Sequence, residues 1–284
     1  MFKKNHTGIV LTVLKILILL AALGVFAFGA VQMYGYTREN QQSDAGRDAL
    51  ADKAVTVLDP DGTMSEEDFL SGLLPAPTGD GVLGDVPSNL SRSIPISVDF
   101  DVLQEENPDI VGWIYCKDTP INYPVVQGQD NQYYVHHLTD GSYNAGGAIF
   151  LDFRNSDGFQ DYNSLIYGHN MRNKSMFGTL ENYKKQEYYD EHPVIWLLTR
   201  ECAYRINLFA GFVTPADSQS YTLFESREAL DSYLTSAAQK STFQSRVEQD
   251  TIDRIVTLST CSYEYNAARY IVIGSLVSIP YANS

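Results

Sequence analysis

Hydrophobic residues fall along this 284-residue chain in three textures. The first is one apolar stretch from Gly8 to Met33, GIVLTVLKILILLAALGVFAFGAVQM, interrupted by Lys15 and by the polar Thr12 and Gln32. At about 1.5 Å of helical rise per residue it can span a hydrocarbon core of roughly 30 Å. The second, residues 35–93, clusters Gly, Pro, Asp and Ser (DPDGT, LLPAPTGDG, DVPSN) and has few aromatics. Such a segment has little apolar surface to offset the entropy of ordering, which predicts a linker or stalk. Within it a short helix fits over 65–71, with Ser65 as N-cap.

The third texture starts near residue 94. DFDVLQEEN (99–107) predicts a short amphipathic helix. Eight apolar or alternating runs follow, at 111–116, 121–126, 147–152, 164–167, 194–199, 203–213, 254–260 and 269–277, bounded by Gly, Pro and Asn. Eight short strands with turn residues between them predict a β-barrel or sandwich. Two helical insertions are expected, over 175–189 and 225–244. In the second, Leu223, Ala229, Leu230, Leu234 and Ala237 can share a face. The fold class is therefore mainly β with α insertions.

Charge follows the same division. The net charge is −15, from 20 Lys and Arg against 35 Asp and Glu. The first 35 residues hold Lys3, Lys4 and Lys15 and no acid, so the remainder carries −18. That argues against a nucleic-acid partner, which needs basic patches to neutralise phosphates. Lys3 and Lys4 ahead of the apolar run predict a cytoplasmic N-terminus and everything after Tyr34 outside. The expected organisation is a cytoplasmic segment 1–7, a transmembrane anchor 8–34, an extracellular linker 35–93 and a folded domain 94–284. A cleaved signal peptide is the alternative, but the run is long for an h-region and Ala27-Phe28-Gly29 is only a passable cleavage site.

Cys116, Cys202 and Cys261 cannot all pair, and no CxxC or Cys/His cluster with zinc spacing is present, so neither a disulfide framework nor a metal is expected. Cys261 closes the strand IVTLSTC and Arg269 opens RYIVIGSLV. If the two strands form a hairpin, these residues lie across the turn within side-chain reach. A guanidinium beside a thiol favours the thiolate and can hold an oxygen on which charge develops. On these residues alone the competing reading, a half-buried cysteine beside a solvated arginine, stays open. Among five histidines, His6 lies at the membrane face and His192 precedes Pro193 in a polar turn. His136 and His137 sit in a helical turn as surface or packing residues. His169 follows SLIY and Gly168 and leads a Met/Asn/Gly-rich loop, a setting that overhangs a cleft.

Longer strings carry a family resemblance. LIYGHNMRNKSMFGTLENY (165–183) and TLSTCSYEYNAARYIVIGSLV (257–277) resemble the histidine and cysteine/arginine motifs of class B sortases. GGAIFLDFRNSD (146–157) and GWIYCKDTPINYPVVQGQDNQYYVHH (112–137) also resemble that class, so the match runs from about Asp99 to Val277. The resemblance implies an eight-stranded sortase β-barrel with N-terminal helices and a long helix between the sixth and seventh strands. It puts the nucleophile at Cys261, the acid/base at His169 and an oxyanion or substrate clamp at Arg269. Ser259, Thr260, Tyr167 and Asn122 fall on substrate-binding positions. One departure concerns the residue after the nucleophile, acidic in some class B members: here it is Ser262, with the acid displaced to Glu264.

The implied chemistry needs no cofactor. A cysteine transpeptidase attacks the threonine carbonyl in the C-terminal sorting motif of an exported protein. It then passes the acyl group to an amine on a peptidoglycan cross-bridge or its lipid-linked precursor. Pilus polymerisation with a lysine acceptor, a hydrolytic cysteine peptidase and a non-catalytic sortase-like scaffold are the alternatives. Leu74-Pro75-Ala76-Pro77-Thr78-Gly79 looks like a proline-and-TG sorting signal, but it lacks the apolar and basic tail of one and reads as a flexible linker.

Overall fold

The structure, a computed structural model, describes residues 5–58 and 94–281. Helix α1 spans Asn5–Ala54. Its apolar residues from Val10 to Met33 are exposed, Phe26 at 76%. Among the described residues it is the one helix long and apolar enough to cross a membrane. Residues 35–54, expected as linker, continue this helix: they contain no proline, and the Ala, Arg and Gln among them sustain helix. Strand β1, Val55–Val57, follows and pairs antiparallel with β2, Ile96–Val98. The helix predicted over 65–71 and the sorting-signal-like string lie outside the described residues. The chain divides between Asp44 and Ala45 into two units, the second holding the end of α1 and all the strands.

Helix α2, Phe100–Glu106, forms where the amphipathic pattern predicts it. The Asp99 carboxylate caps it by accepting from the backbone N–H of Asp101 (3.0 Å) and Val102 (3.2 Å). Its Phe100 and Leu103 are buried with Leu50 and Ala54 of α1 against Ile110 and Trp113.

The eight predicted strands are all present, with ends displaced by a few residues: β3 (Ile110–Tyr115), β4 (Asn122–Val126), β5 (Ile149–Leu151), β6 (Asn163–Tyr167), β7 (Val194–Leu198), β8 (Cys202–Pro215), β9 (Ile255–Cys261) and β10 (Ala268–Pro280). They close into a barrel in the order β10-β8-β7-β3-β4-β5-β6-β9. Closure leaves no free edge in the barrel. Neighbours are antiparallel except for two parallel pairs, β4 with β5 and β6 with β9. Along β9 and β10 the faces alternate. Val256, Leu258, Tyr270 and Val272 join the barrel core, whereas Ile255, Ile271 and Ile273 pack outside it. Both faces are buried, which is why these strands read as nearly unbroken apolar runs.

Helix α4, Arg227–Lys240, covers that outer face between the sixth and seventh barrel strands, after a shorter helix α3, Gln186–Glu191. Ser226 caps α4 through the N–H of Ala229 (3.2 Å). Leu230, Tyr233, Leu234 and Ala237 are its buried residues. Ala229, expected on this face, is exposed, and Leu223 precedes the first turn; Phe224 and Tyr233 pack there instead. The other expected helix, 175–189, is broken. Met176 adopts a left-handed φ of 54° and Lys185 is extended, leaving a 3₁₀ turn at Leu180–Lys184 before α3.

Candidate active site

The parallel pairing of β6 and β9 sets Tyr167 opposite Ser259. The residues leaving these strands, Gly168-His169 and Thr260-Cys261, therefore emerge at one end of the barrel. Strand β10 returns antiparallel along β9 and puts Arg269 directly opposite Cys261. His169, Cys261 and Arg269 line one cavity of about 150 Å³, together with Val135, Phe150, Tyr167, Gly168, Ser259 and Thr260. A larger open depression of about 860 Å³ runs along β1 and β2, but neither cysteine nor histidine lines it. Chemistry, not volume, distinguishes the smaller one.

Two glycines make the histidine's placement possible. A Cβ on Gly168 would stand 2.4 Å from Ile149 Cδ1 and 2.8 Å from Phe177 Cγ, so only glycine lets the chain pass between these core side chains. Gly147, at φ +55°, approaches Val135 so closely that a Cβ would lie 2.4 Å from the Val135 oxygen. That oxygen accepts a hydrogen bond from His169 Nε2 at 3.0 Å. A carbonyl can only accept, so Nε2 carries the hydrogen and Nδ1 is the nitrogen that can take up or release a proton. Burial holds the imidazole below its ordinary 6.5. The Val135 carbonyl opposes that shift, while the nearby positive charges of His136 and Arg269 add to it. The His136 ring stacks on His169 with centroids 6.4 Å apart.

All three cysteines are free. Cys116 is buried, and burial pushes its thiol up to about 11, far from the thiolate form. Cys202 opens β8 and accepts a 3.6 Å contact from Ser278 Oγ. Only Cys261 lines the cavity with a histidine and an arginine.

The remaining predicted residues divide. Thr260 Oγ1 donates to the Gly168 carbonyl (2.8 Å), tying the two strand ends together. Ser259 Oγ lies 2.9 Å from the Tyr221 hydroxyl, and the Tyr221 ring stacks on Tyr167. Tyr167 donates to Asp152 Oδ2 (2.8 Å). Burial of Asp152 raises its pKa, but hydrogen bonds from Arg154, Tyr167 and Asn131 outweigh that and hold it below the usual carboxylate range. Asn122 does not line the cavity. Its Oδ1 accepts the indole N–H of buried Trp113 at 2.7 Å, which ties the amide oxygen to β3. Glu264, the displaced acid, is also absent from the lining. Lys184 and Ser262 bond to it and hold its carboxyl down at about 2.

Tyr221, Asp152 and the Val135 carbonyl support the site without having been singled out in the sequence. Asp152 and Val135 lie within the strings that carry the family resemblance, whereas Tyr221 lies outside them and leaves no local signal. Among the described residues no group of three or more His, Cys, Asp and Glu could hold a metal ion.

Comparison with known proteins agrees with this geometry. Residues 114–277 match the sortase domain family. Sortase B of Listeria monocytogenes is 38% identical over 179 residues, covering 62% of this chain and 73% of that protein. The Staphylococcus aureus sortase B–substrate complex superposes with a TM-score of 0.59 at 32% identity, covering 63% of this chain and 85% of that one. A sortase B complexed with triglycine gives the same TM-score and identity over 63% and 86%. The matched domain, the closed eight-stranded barrel and the cysteine-bearing strand within it converge: the chain belongs to the sortase family of cysteine transpeptidases, in class B.

Proposed function

We propose that Cys261 is the nucleophile of this transpeptidase, His169 its acid/base and Arg269 its oxyanion clamp, acting on the threonine of a sorting motif in an exported protein. The observation that carries the reading is the shared cavity, where Arg269 pairs with Cys261 and His169 stands alongside. The Cys261 thiolate attacks the threonine carbonyl carbon, and negative charge develops on the oxygen beside the Arg269 guanidinium. His169, as imidazolium, gives its Nδ1 proton to the departing amine, the peptide C–N bond breaks and a thioester remains. An incoming amine attacks that thioester, His169 Nδ1 takes the proton back, and Cys261 leaves as thiolate. Because burial depresses the His169 pKa, the imidazolium that must protonate the departing amine is disfavoured relative to an exposed histidine.

Ser259, Thr260 and Tyr167 form the floor that receives the motif around its threonine. The acceptor is a peptidoglycan cross-bridge amine or that of its lipid-linked precursor, in keeping with the relative complexed with triglycine. The apolar part of α1 anchors the enzyme, with the N-terminus cytoplasmic and the barrel outside, so that exported proteins meet the site at the membrane surface.

The test is a panel of fluorogenic peptides with Pro-Xaa-Thr cores, incubated with the full-length chain in detergent and with triglycine. A ligated product, lost in Cys261→Ala, His169→Ala and Arg269→Ala, supports the reading. Hydrolysis alone would make the protein a peptidase, and turnover only with a lysine-bearing acceptor would favour pilus polymerisation.

A further inference from the structure

The parallel ladder between β6 and β9 ends just short of the site. Its last backbone bond runs from the Gly168 N–H to the Ser259 carbonyl at 3.1 Å. Beyond it the chains are joined by side chains: Thr260 to the Gly168 carbonyl, then Asn170 Nδ2 to the Cys261 carbonyl at 2.8 Å. Asn170 directly follows His169, so this second bond links the residue carrying the thiol to the neighbour of the residue carrying the imidazole.

The amide has one workable orientation. Its other Nδ2 hydrogen goes to Glu181 Oε2 at 2.9 Å. Both partners, a carbonyl and a carboxylate, only accept, so a flipped amide would set Oδ1 against two acceptors. Glu181 is itself fixed, accepting from Lys184 Nζ (2.7 Å) and from Ser262 Oγ (2.9 Å). Lys184 also bonds Glu264, and the one hydroxyl hydrogen of Ser262 is shared between the Glu181 and Glu264 carboxylates, so the loop after Cys261 is held at two points. Asn170, Glu181, Lys184, Ser262 and Glu264 all stand outside the cavity lining.

We propose that Asn170 is a positioning residue that sets the distance between Cys261 and His169, and that Glu181 aims its amide. This rests on the nucleophile and acid/base roles given above. It also accounts for Ser262 at the position after the nucleophile: the hydroxyl serves the clamp, and the acid two residues on completes it from outside.

The test compares the full-length chain in detergent with its Asn170→Ala, Asn170→Asp, Glu181→Ala and Glu181→Gln variants. Substrates are triglycine and the Pro-Xaa-Thr peptide that the unmodified chain turns over fastest. Alkylation of Cys261 by iodoacetamide, which needs the thiolate but no proton delivered by the histidine, is followed in parallel. Asn170→Ala and Glu181→Ala are expected to lower kcat about tenfold, the factor that one ordinary hydrogen bond carries, with KM and alkylation within about twofold. Asn170→Asp keeps the shape but puts a carboxylate against two acceptors, so it should fall at least as far. Glu181→Gln still offers an acceptor oxygen to Asn170 and should restore most of the rate that Glu181→Ala loses. Unchanged kcat in both Asn170 variants, alkylation falling in step with kcat, or no recovery in Glu181→Gln would overturn the proposal. If the unmodified chain turns over no peptide, the transpeptidase reading falls and takes this one with it.

Discussion

At the residue scale the chemistry proposed for this site turns on which nitrogen of His169 is committed. The Val135 carbonyl holds Nε2, so proton exchange falls to Nδ1, and burial keeps the cation disfavoured. The sign is fixed by that environment: a buried imidazole loses more than it gains by charging, so its pKa drops. An NMR titration of His169 is therefore expected to give a midpoint below 6.5 with Nε2 protonated throughout. A midpoint above about 7 would mean that an anionic partner outweighs desolvation. Sequence reasoning reaches the identities of these residues better than their partners. Cys261 and Arg269 could be paired from the hairpin they bracket, since a tight turn brings neighbours in the chain together. The Val135 carbonyl, 34 residues upstream of His169, has no side-chain signature. Asn122 shows the converse: a polar residue in a matching string whose amide oxygen accepts from Trp113 and which stands outside the cavity lining.

At the element scale the decisive feature is the parallel pair β6–β9. A stretch of 87 residues, from Gly168 to Arg254, separates the two strands and includes β7, β8 and α4. Periodicity predicts each strand but not this non-local pairing, which is what sets His169 beside Cys261. The antiparallel β9–β10 hairpin, being local, was legible. The break in 175–189 was not, because it depends on left-handed Met176 rather than on any proline. Gly168 is where the pairing is most sensitive. Gly168→Ala must displace Ile149, Phe177 or the strand itself, with a predicted loss of about 1–3 kcal/mol in stability and a fall in kcat larger than that loss explains. Ser226→Ala, at the far cap of α4, should cost about 1 kcal/mol in stability yet leave kcat unchanged. Thermal melts and steady-state kinetics on the two variants together separate positioning from general stability. Equal kcat losses in both would count against the special place given to Gly168.

At the scale of the whole molecule, a closed barrel carries the candidate site at one end, and the N-terminal helix, long and apolar enough to cross a membrane, is the proposed anchor. Composition indicated both parts, the apolar run by its length and the barrel by its eight short strands. The continuation of α1 to Ala54 was missed because residues 35–54 lack the apolar periodicity that marks a helix, although nothing in them breaks one. A chain lacking residues 1–34 is expected to move from the membrane to the soluble fraction and to keep its turnover of a small peptide. Loss of turnover would assign the helix a part in catalysis rather than attachment. Cys261 is the residue on which the proposed chemistry depends. Three free thiols compete for any thioacyl group, and only one lies beside His169 and Arg269. Intact-mass and peptide-mapping spectrometry of the enzyme trapped with a turned-over Pro-Xaa-Thr peptide should find one acyl group, ending in threonine, on Cys261, discharged by triglycine. An acyl group on Cys202 or Cys116, or steady turnover with no thioester on any cysteine, would contradict it.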